Sequence, residues 1–448
     1  MTSRHTDRVL TARATAEPAE FLAGHPGYEL TRGLDRLRRT EYAYLDEQNH
    51  LYLDYAGSGL AASSQHEAHQ RRMRGILPGG PSTTAPAIDR ARHAVLRHLN
   101  ASPHDYTVVF TANASAANRL VGERYAFGKH GRLVLTSDNH ESVSGLREFA
   151  GTTTVIATQR PDLRVSTSTV IATLGRKRPD RRRGLFAFPA QSGFTGVQHP
   201  LGWIDIARER GYDVLLDAAA YLPTNKLDLS MVRPDFVTVS WYKVFGYPTG
   251  VGCLVVRRDA LPRLSGSALE DSSLNFLSIP DVEVGLALLA DTGVELISRR
   301  VRYLTGWFLD RLTTLRHGNG VPMARVYGPT TTVARGGIVS FNFLDPSGRV
   351  IDPRTVDEEA TTAGISLRTG RSGNPGAGSN VTELCPRSLR ALHKHGTRRG
   401  GEPLDVVGLP SGGTVRVSFG APSAVRDVER FIAFAERHFE DRAIEDFE

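Results

Sequence analysis

The sequence predicts an α/β fold built on a mainly parallel sheet, and three observations carry that prediction. Between about residues 87 and 260, short β-branched or apolar runs alternate with segments of helical period. The runs are continuously apolar rather than alternating, the pattern of strands covered on both faces. The chain has 448 residues, a length that suggests two domains and is ample for a sizeable core.

Each element follows in order. The first 27 residues mix charged and small side chains and read as a flexible arm. YELTRGLDRLRRTEYAYL (28–45) has helical spacing, and LYLDYAG (51–57) reads as a strand entering a glycine turn. The helix IDRARHAVLRHLN leads to the strand TVVF, and a helix then opens at TANASAANRLVGERY. RLVLT, TTVIA, GLFAFP, VLLDA, FVTVS and GVGCLVV read as strands, with helices around SVSGLREFAG and WIDIARERG. A long helical stretch, VEVGLALLADTGVELISRRVRYLTGWFLDRL, separates this region from strands near GIVSFNF and TVRVSF and a final amphipathic helix, AVRDVERFIAFAERHFEDR. The expected organisation is an N-terminal segment 28–85 joining a small domain, a large cofactor-binding domain 86–285, and an interdomain helix with a small C-terminal domain over 286–448.

Composition narrows the function. Hydrophobic residues at 40% and charged residues at 23% are ordinary for a globular protein. A net charge of +7 is mild over this length, and the basic run GRKRPDRRRG (175–184) has no interleaved aromatics, so it reads as a solvated loop and not a nucleic-acid surface. No apolar run approaches the roughly 18 residues of a membrane span. No secretory leader is apparent either, which leads to the expectation of a cytoplasmic protein. Cys253 and Cys385 are too few and too far apart for a disulfide framework or a zinc site, and HKHGTRRGGE (393–402) reads as an exposed loop, so no metal is expected.

Two residues stand where chemistry is done in open α/β sheets, at the carboxyl ends of strands. Asp217 ends VLLDA, where a loop cap would explain it equally well. Lys243 follows the next strand in SWYKVFGYPTG. A lysine desolvated at such an edge can form an imine, and a pyridine aldehyde cofactor needs both that lysine and a carboxylate that keeps its ring nitrogen protonated. FTANASAANRL (110–120) offers a phosphate cradle of strand, small residues and helix start, although a plain N-cap by Asn113 or Ser115 accounts for the same residues.

With those residues in view, FTANASAAN, SDNHESVSGLREFA, FPAQSGFTG, LDAAAYLPTNKLDLS, SWYKVFGYPTGVG, LRTGRSGNPGAG and VRVSFG together resemble the class V, fold-type I pyridoxal-phosphate enzymes. The nearest branch is that of the molybdenum-cofactor sulfurases, with the cysteine desulfurases behind it, and the likeness runs from about 28 to 440. It implies pyridoxal 5'-phosphate as cofactor and a mainly parallel seven-stranded sheet in the large domain, with a smaller α+β C-terminal domain. It also implies a homodimer with active sites completed across subunits. By position, Lys243 matches the imine-forming lysine, Asp217 the partner of the pyridine nitrogen, and His140 the histidine that stacks on the ring. Ala114 and Ser115 match the phosphate turn, Ser240 and Tyr242 further phosphate ligands, and Ser273 a threonine that reaches the phosphate from the second subunit. Gln191 matches a residue near the phenolic oxygen. Arg416 matches the arginine that holds the substrate carboxylate, and Arg368 is a second candidate for that role.

The sequence also departs from the branch. Arg371, Gly373 and Gly378 stand where sulfurases tend to carry cysteines, Gly193 replaces a usual asparagine, and the additional C-terminal domain of eukaryotic sulfurases is not expected here. The expectation is therefore a lyase that abstracts the α-proton of an amino acid and eliminates a Cβ–S or other Cβ–heteroatom bond, with Arg371 facing an acidic distal group or solvent. The alternatives are an aminotransferase, a decarboxylating carbon–carbon lyase or aldolase, and a desulfurase-like sulfur-transfer protein.

Overall fold

The computed structural model describes residues 17–76, 85–128, 131–175, 183–266, 268–271, 273–370, 373 and 413–444. Its centre is a seven-stranded sheet of β2 (Tyr106–Thr111), β3 (Arg132–Thr136), β4 (Thr152–Ile156), β5 (Gly184–Pro189), β6 (Tyr212–Asp217), β7 (Phe236–Ser240) and β8 (Gly252–Arg257). The order is β2-β8-β7-β6-β5-β3-β4. Pairing is parallel except around β8, which runs against both β7 and β2.

Successive residues along these strands feed two different cores, as the two-residue period of a strand requires. Phe186, Phe188, Val214, Leu216, Val237 and Val239 pack on one face, under helices Ala85–His98, Trp203–Glu209 and Asp281–Thr292. Leu185, Ala187, Leu215 and Phe236 pack on the other, under Ala114–Arg124 and the short helix Glu141–Ser144. The strand at the β4 edge differs from the expectation of coverage on both faces. Its first four residues are exposed, because it has a neighbour on one side only.

The C-terminal part forms a second, antiparallel sheet. β9 (Ala324–Tyr327), β10 (Ile338–Phe343), β12 (Arg368–Gly370) and β13 (Thr414–Ser418) lie in the order β12-β13-β10-β9. A two-stranded parallel pair joins β1 (Leu51–Tyr52) to β11 (Ile365–Ser366). The helix Val425–Phe439 presents Val428, Phe431, Ile432 and Ala435 to Phe341 and Phe343, and each such aromatic contributes about 1.5–3 kcal/mol through burial.

Two helical expectations are corrected. The 28–45 helix is broken into a 3₁₀ turn, Pro26–Thr31, and helices Gly33–Glu41 and Ala43–Glu47. The long stretch after residue 281 is two helices that meet at Gly293, whose φ of 86° ends the first. Of the arm expected over 1–27, residues 1–16 lie outside the described residues, and Phe21, on helix Ala19–Gly24, is wholly buried against Tyr28 and Trp307. Of the basic run, Arg183 pairs with buried Asp213 at 2.6 Å, and 176–182 lie outside the described residues. Among the described residues no helix is long and apolar enough to cross a membrane, and no cluster of metal-ligating side chains occurs.

Candidate active site

The parallel register brings the ends of β2, β5, β6 and β7 to one edge of the sheet. There a cavity of about 480 Å³ is lined by Ala114, Ser115, His140, Gln191, Asp217 and Lys243 among others. Ser240 and Tyr242 line it too, so eight of the residues expected from sequence converge on one space.

The phosphate side of the cavity is the start of helix Ala114–Arg124. Asn113 is the N-cap, its Oδ1 accepting the Ala116 N–H at 2.9 Å. The Ala114 N–H goes to Ser240 Oγ at 2.9 Å. The Ser115 N–H and hydroxyl remain at the cavity wall with no partner among the described residues, at the end of a helix whose free N–H groups and dipole favour an anion. Gly252 permits this closeness, because a Cβ there would overlap the Asn113 backbone and the Val239 carbonyl.

Asp217 ends β6, buried, with one carboxylate oxygen accepting the Ala219 N–H at 3.0 Å. Lys243 sits one strand over, half-buried on the five-residue helix Trp241–Phe245. Desolvation pushes its amine below the usual lysine range, and Arg416 and Arg368 add to the effect while Asp217 opposes it. The turn that follows is fitted to a remote segment. Gly246 has a φ of 74°, and a Cβ there would run into the Leu60 and Ala61 backbone. The Gly59 N–H donates to the Tyr242 carbonyl at 2.9 Å.

His140 caps the Glu141–Ser144 helix. Its Nδ1 lies 3.2 Å from the Ser142 N–H, which can only donate, so Nδ1 accepts and the neutral ring carries its proton on Nε2. The Ser142 hydroxyl, 2.9 Å from the same nitrogen, is itself a hydrogen-bond acceptor for Asn118 Nδ2 at 3.0 Å. Burial lowers the His140 pKa, and the nearby Lys243 charge lowers it further against the opposing pull of Asp217.

The remaining expected residues vary in placement, and Gln191 lines the cavity with its amide held by the protein. Gln191 is buried, its Nε2 donating to the Ala220 carbonyl at 2.8 Å. Arg416 is buried behind the cavity wall, donating from Nη1 to the Gly193 carbonyl at 2.8 Å. Arg368 stands beside it, and both hold Asp54, a residue the sequence reading passed over. Asp54 carries the same signal that marked Asp217, an acid at the end of an apolar strand before a turn. Ser273 is exposed and does not line this cavity in its own chain. Arg371 and Cys385 lie outside the described residues. Gly373 is described: its carbonyl accepts the Glu141 N–H at 2.8 Å, and a Cβ there would stand 2.7 Å from His140 Nε2. Cys253 is fully buried in β8, and burial pushes its thiol pKa far up, away from reactivity.

These residues fit a phosphorylated pyridine aldehyde: an anion cradle at Ser115, a carboxylate at Asp217 with one oxygen unspent among the described residues, and a desolvated amine at Lys243. Comparison with known proteins agrees. The model of the family described as aminotransferase class-V matches residues 45–431. Molybdenum cofactor sulfurase 2 of Culex quinquefasciatus is 33% identical over 433 residues, covering 86% of this chain and 56% of that protein. The molybdenum cofactor sulfurase of Homo sapiens is 32% identical over 455 residues, covering 90% of this chain and 51% of that one. The chain thus spans about half the length of these relatives. Among solved structures, a cysteine desulfurase from Thermococcus onnurineus NA1 superposes with a TM-score of 0.69 at 18% identity, over 90% of this chain and 97% of that one. The cysteine desulfurase CsdA of Escherichia coli gives 0.69 at 17%, over 90% and 98%. Both share the fold-type I architecture expected from sequence.

Proposed function

Because the chain belongs to the aminotransferase class-V family and is a pyridoxal-phosphate-dependent enzyme, we propose that it removes sulfur from a cysteine-type amino acid and passes it to a thiol. The observation that carries the amino-acid half of this reading is the joint placement of Lys243, Asp217 and the Arg416-backed Gly193 carbonyl around one cavity. An amino acid there has its carboxylate toward the arginines and its α-carbon toward Lys243. The sulfur half is supported by the sulfurase relatives, alike over nearly nine-tenths of the chain. Motifs alone put β-elimination first, and that likeness puts sulfur transfer ahead of it.

When bound, pyridoxal phosphate supplies an electron sink for bonds breaking at the amino acid's α-carbon and Cβ. The protein does the rest. Ser115, Ser240 and Tyr242 would hold the phosphate, and Asp217 would keep a proton on the ring nitrogen. Lys243, its pKa lowered by burial, has a larger neutral fraction near pH 7 than a free lysine and can take the α-proton. His140 carries its proton on Nε2, the nitrogen that faces Gly373. Sulfur transfer then balances as follows: the Cβ–S bond of the substrate breaks, an S–S bond to the acceptor thiol forms, and the acceptor's proton ends on carbon. The products are alanine and a persulfide. Cys253 is too deeply buried to serve as acceptor, which leaves Cys385 or a thiol from another molecule.

Elimination without an acceptor stays as a second reading because of Gly373. This residue stands beside His140 at a position where the sulfurase branch tends to carry a cysteine. The proposal includes a homodimer in which Ser273 reaches the phosphate site of the other copy. Product analysis decides between the readings. With cysteine and an added thiol, alanine and persulfide in equal amounts support sulfur transfer, pyruvate with ammonia and sulfide supports elimination, and turnover of neither kind sinks both. Loss of the alanine activity in Cys385→Ser assigns the acceptor to that residue.

A further inference from the structure

Arg368 and Arg416 are direct cross-strand partners in the antiparallel β12–β13 pair. Like charges directly opposite destabilise a sheet, so the pair needs a counter-ion. Asp54 supplies it from far away in sequence. It bridges in parallel to Ser418, two residues beyond Arg416. Its Oδ2 accepts Arg368 Nη2 at 2.7 Å and Nε at 3.0 Å, and its Oδ1 accepts Arg416 Nη2 at 3.2 Å. Two guanidinium groups and one carboxylate leave a single positive charge. Arg416 also reaches the cavity-lining Gly193, and its Nε is buried without a partner among the described residues. The turn after Asp54 is shaped around this contact, for a Cβ at Gly57 would overlap both Asp54 Oδ2 and Arg368 Nη2.

We propose that Asp54 is a positioning residue that sets anion specificity. By cancelling one of two arginine charges, it tunes the wall beside Gly193 to accept a singly charged carboxylate over a doubly charged anion. This rests on the reading that an amino acid occupies the cavity, and it concerns binding only. Removing the carboxylate leaves the buried Arg416 and the half-exposed Arg368 as two cations side by side, where charge interactions are screened less than in water and a dianion becomes the better guest.

The test measures propionate and sulfate binding to the holoprotein, in which the cofactor's own phosphate fills the Ser115 cradle, following the cofactor's absorption band and the heat of binding. Wild type prefers propionate, and Asp54→Asn shifts the propionate-to-sulfate affinity ratio toward sulfate by about tenfold. The charge-compensated Asp54→Asn/Arg368→Gln variant, with Arg416 alone, returns the ratio to within about threefold of wild type, and Asp54→Glu holds it there. An unchanged ratio in folded Asp54→Asn, or a double variant that behaves like the single one, overturns the proposal. If Asp54→Asn does not fold, half-exposed Arg368 carries the test: Arg368→Gln has no surplus charge and loses about tenfold in propionate affinity, whereas Arg368→Lys stays within about threefold. Undiminished propionate binding in Arg368→Gln equally overturns it. Failure of the sulfur reading is a separate outcome, seen as missing alanine and persulfide while these anion ratios hold.

Discussion

Ser240 Oγ accepts the Ala114 N–H at 2.9 Å, tying the strand that leads to Lys243 to the first turn of the anion-binding helix. In the proposed site that hydrogen bond would help set the spacing between the groups that hold the phosphate and the aldehyde ends of the cofactor. The Ser240→Ala variant leaves a buried N–H unpaired, at a cost of about 1–3 kcal/mol. The expected result is weaker retention of pyridoxal phosphate by tenfold or more, on the order of 1.4 kcal/mol, measured by equilibrium dialysis.

Lys243→Ala removes both the amine proposed to bond the cofactor and a half-buried cation. The expected outcome is loss of the visible absorption band and of all turnover. The apoprotein melts no lower than wild type, since the lost amine is one that burial already disfavours as a charge. A variant that keeps the visible band and turns over amino acids would remove Lys243 from the centre of the site.

Gly246 joins Lys243 to the Leu60–Ala61 segment through a backbone that only glycine adopts without strain. Gly246→Ala is expected to cost roughly 1–3 kcal/mol in stability from backbone strain alone, and more if the 59–61 segment is displaced. It should also lower cofactor retention, because the displaced turn carries Lys243 with it. Chemical denaturation and dialysis on the same variant check the two effects together.

Acid stability depends on a residue outside the cavity. His98 is packed by Trp241, its Nε2 buried without a partner among the described residues, and burial lowers its pKa to about 4. The folded value lies below the unfolded value of 6.5, so on acidification the unfolded chain takes up the proton first. Stability from this residue is complete above pH 6.5 and falls as pH drops from there toward about 4, by an amount on the order of 3 kcal/mol. His98→Phe should flatten that part of the melting-temperature profile, and an equal slope in both proteins would show the loss to arise elsewhere.

Much of this site was legible in the chain. Asp217 and Lys243 could be read because one closes an apolar strand and the other follows the end of the next, and in a parallel sheet strand ends meet at one edge whatever the details of packing. The Asn113 cap was legible as one of two candidates, since capping is local chemistry within three residues. Helix breaks were less legible: nothing in the periodicity around Gly293 announces that the chain turns there instead of tolerating a glycine. The chain from His140 through the Ser142 hydroxyl to Asn118 was hidden for a related reason, since Asn118 comes from a different helix.

By itself the sequence determined the sheet class, the strand-end acid and lysine, and the helix-start cradle, all of which follow from local periodicity and the chemistry of single side chains. Only the tertiary structure decided that Asp54 meets Arg416 across 362 residues and Arg368 across 314. Pairing register, a property of two strands and of neither alone, sets those two arginines opposite one another. The carboxylate that makes the arrangement tolerable arrives on a third segment that no local signal connects to them.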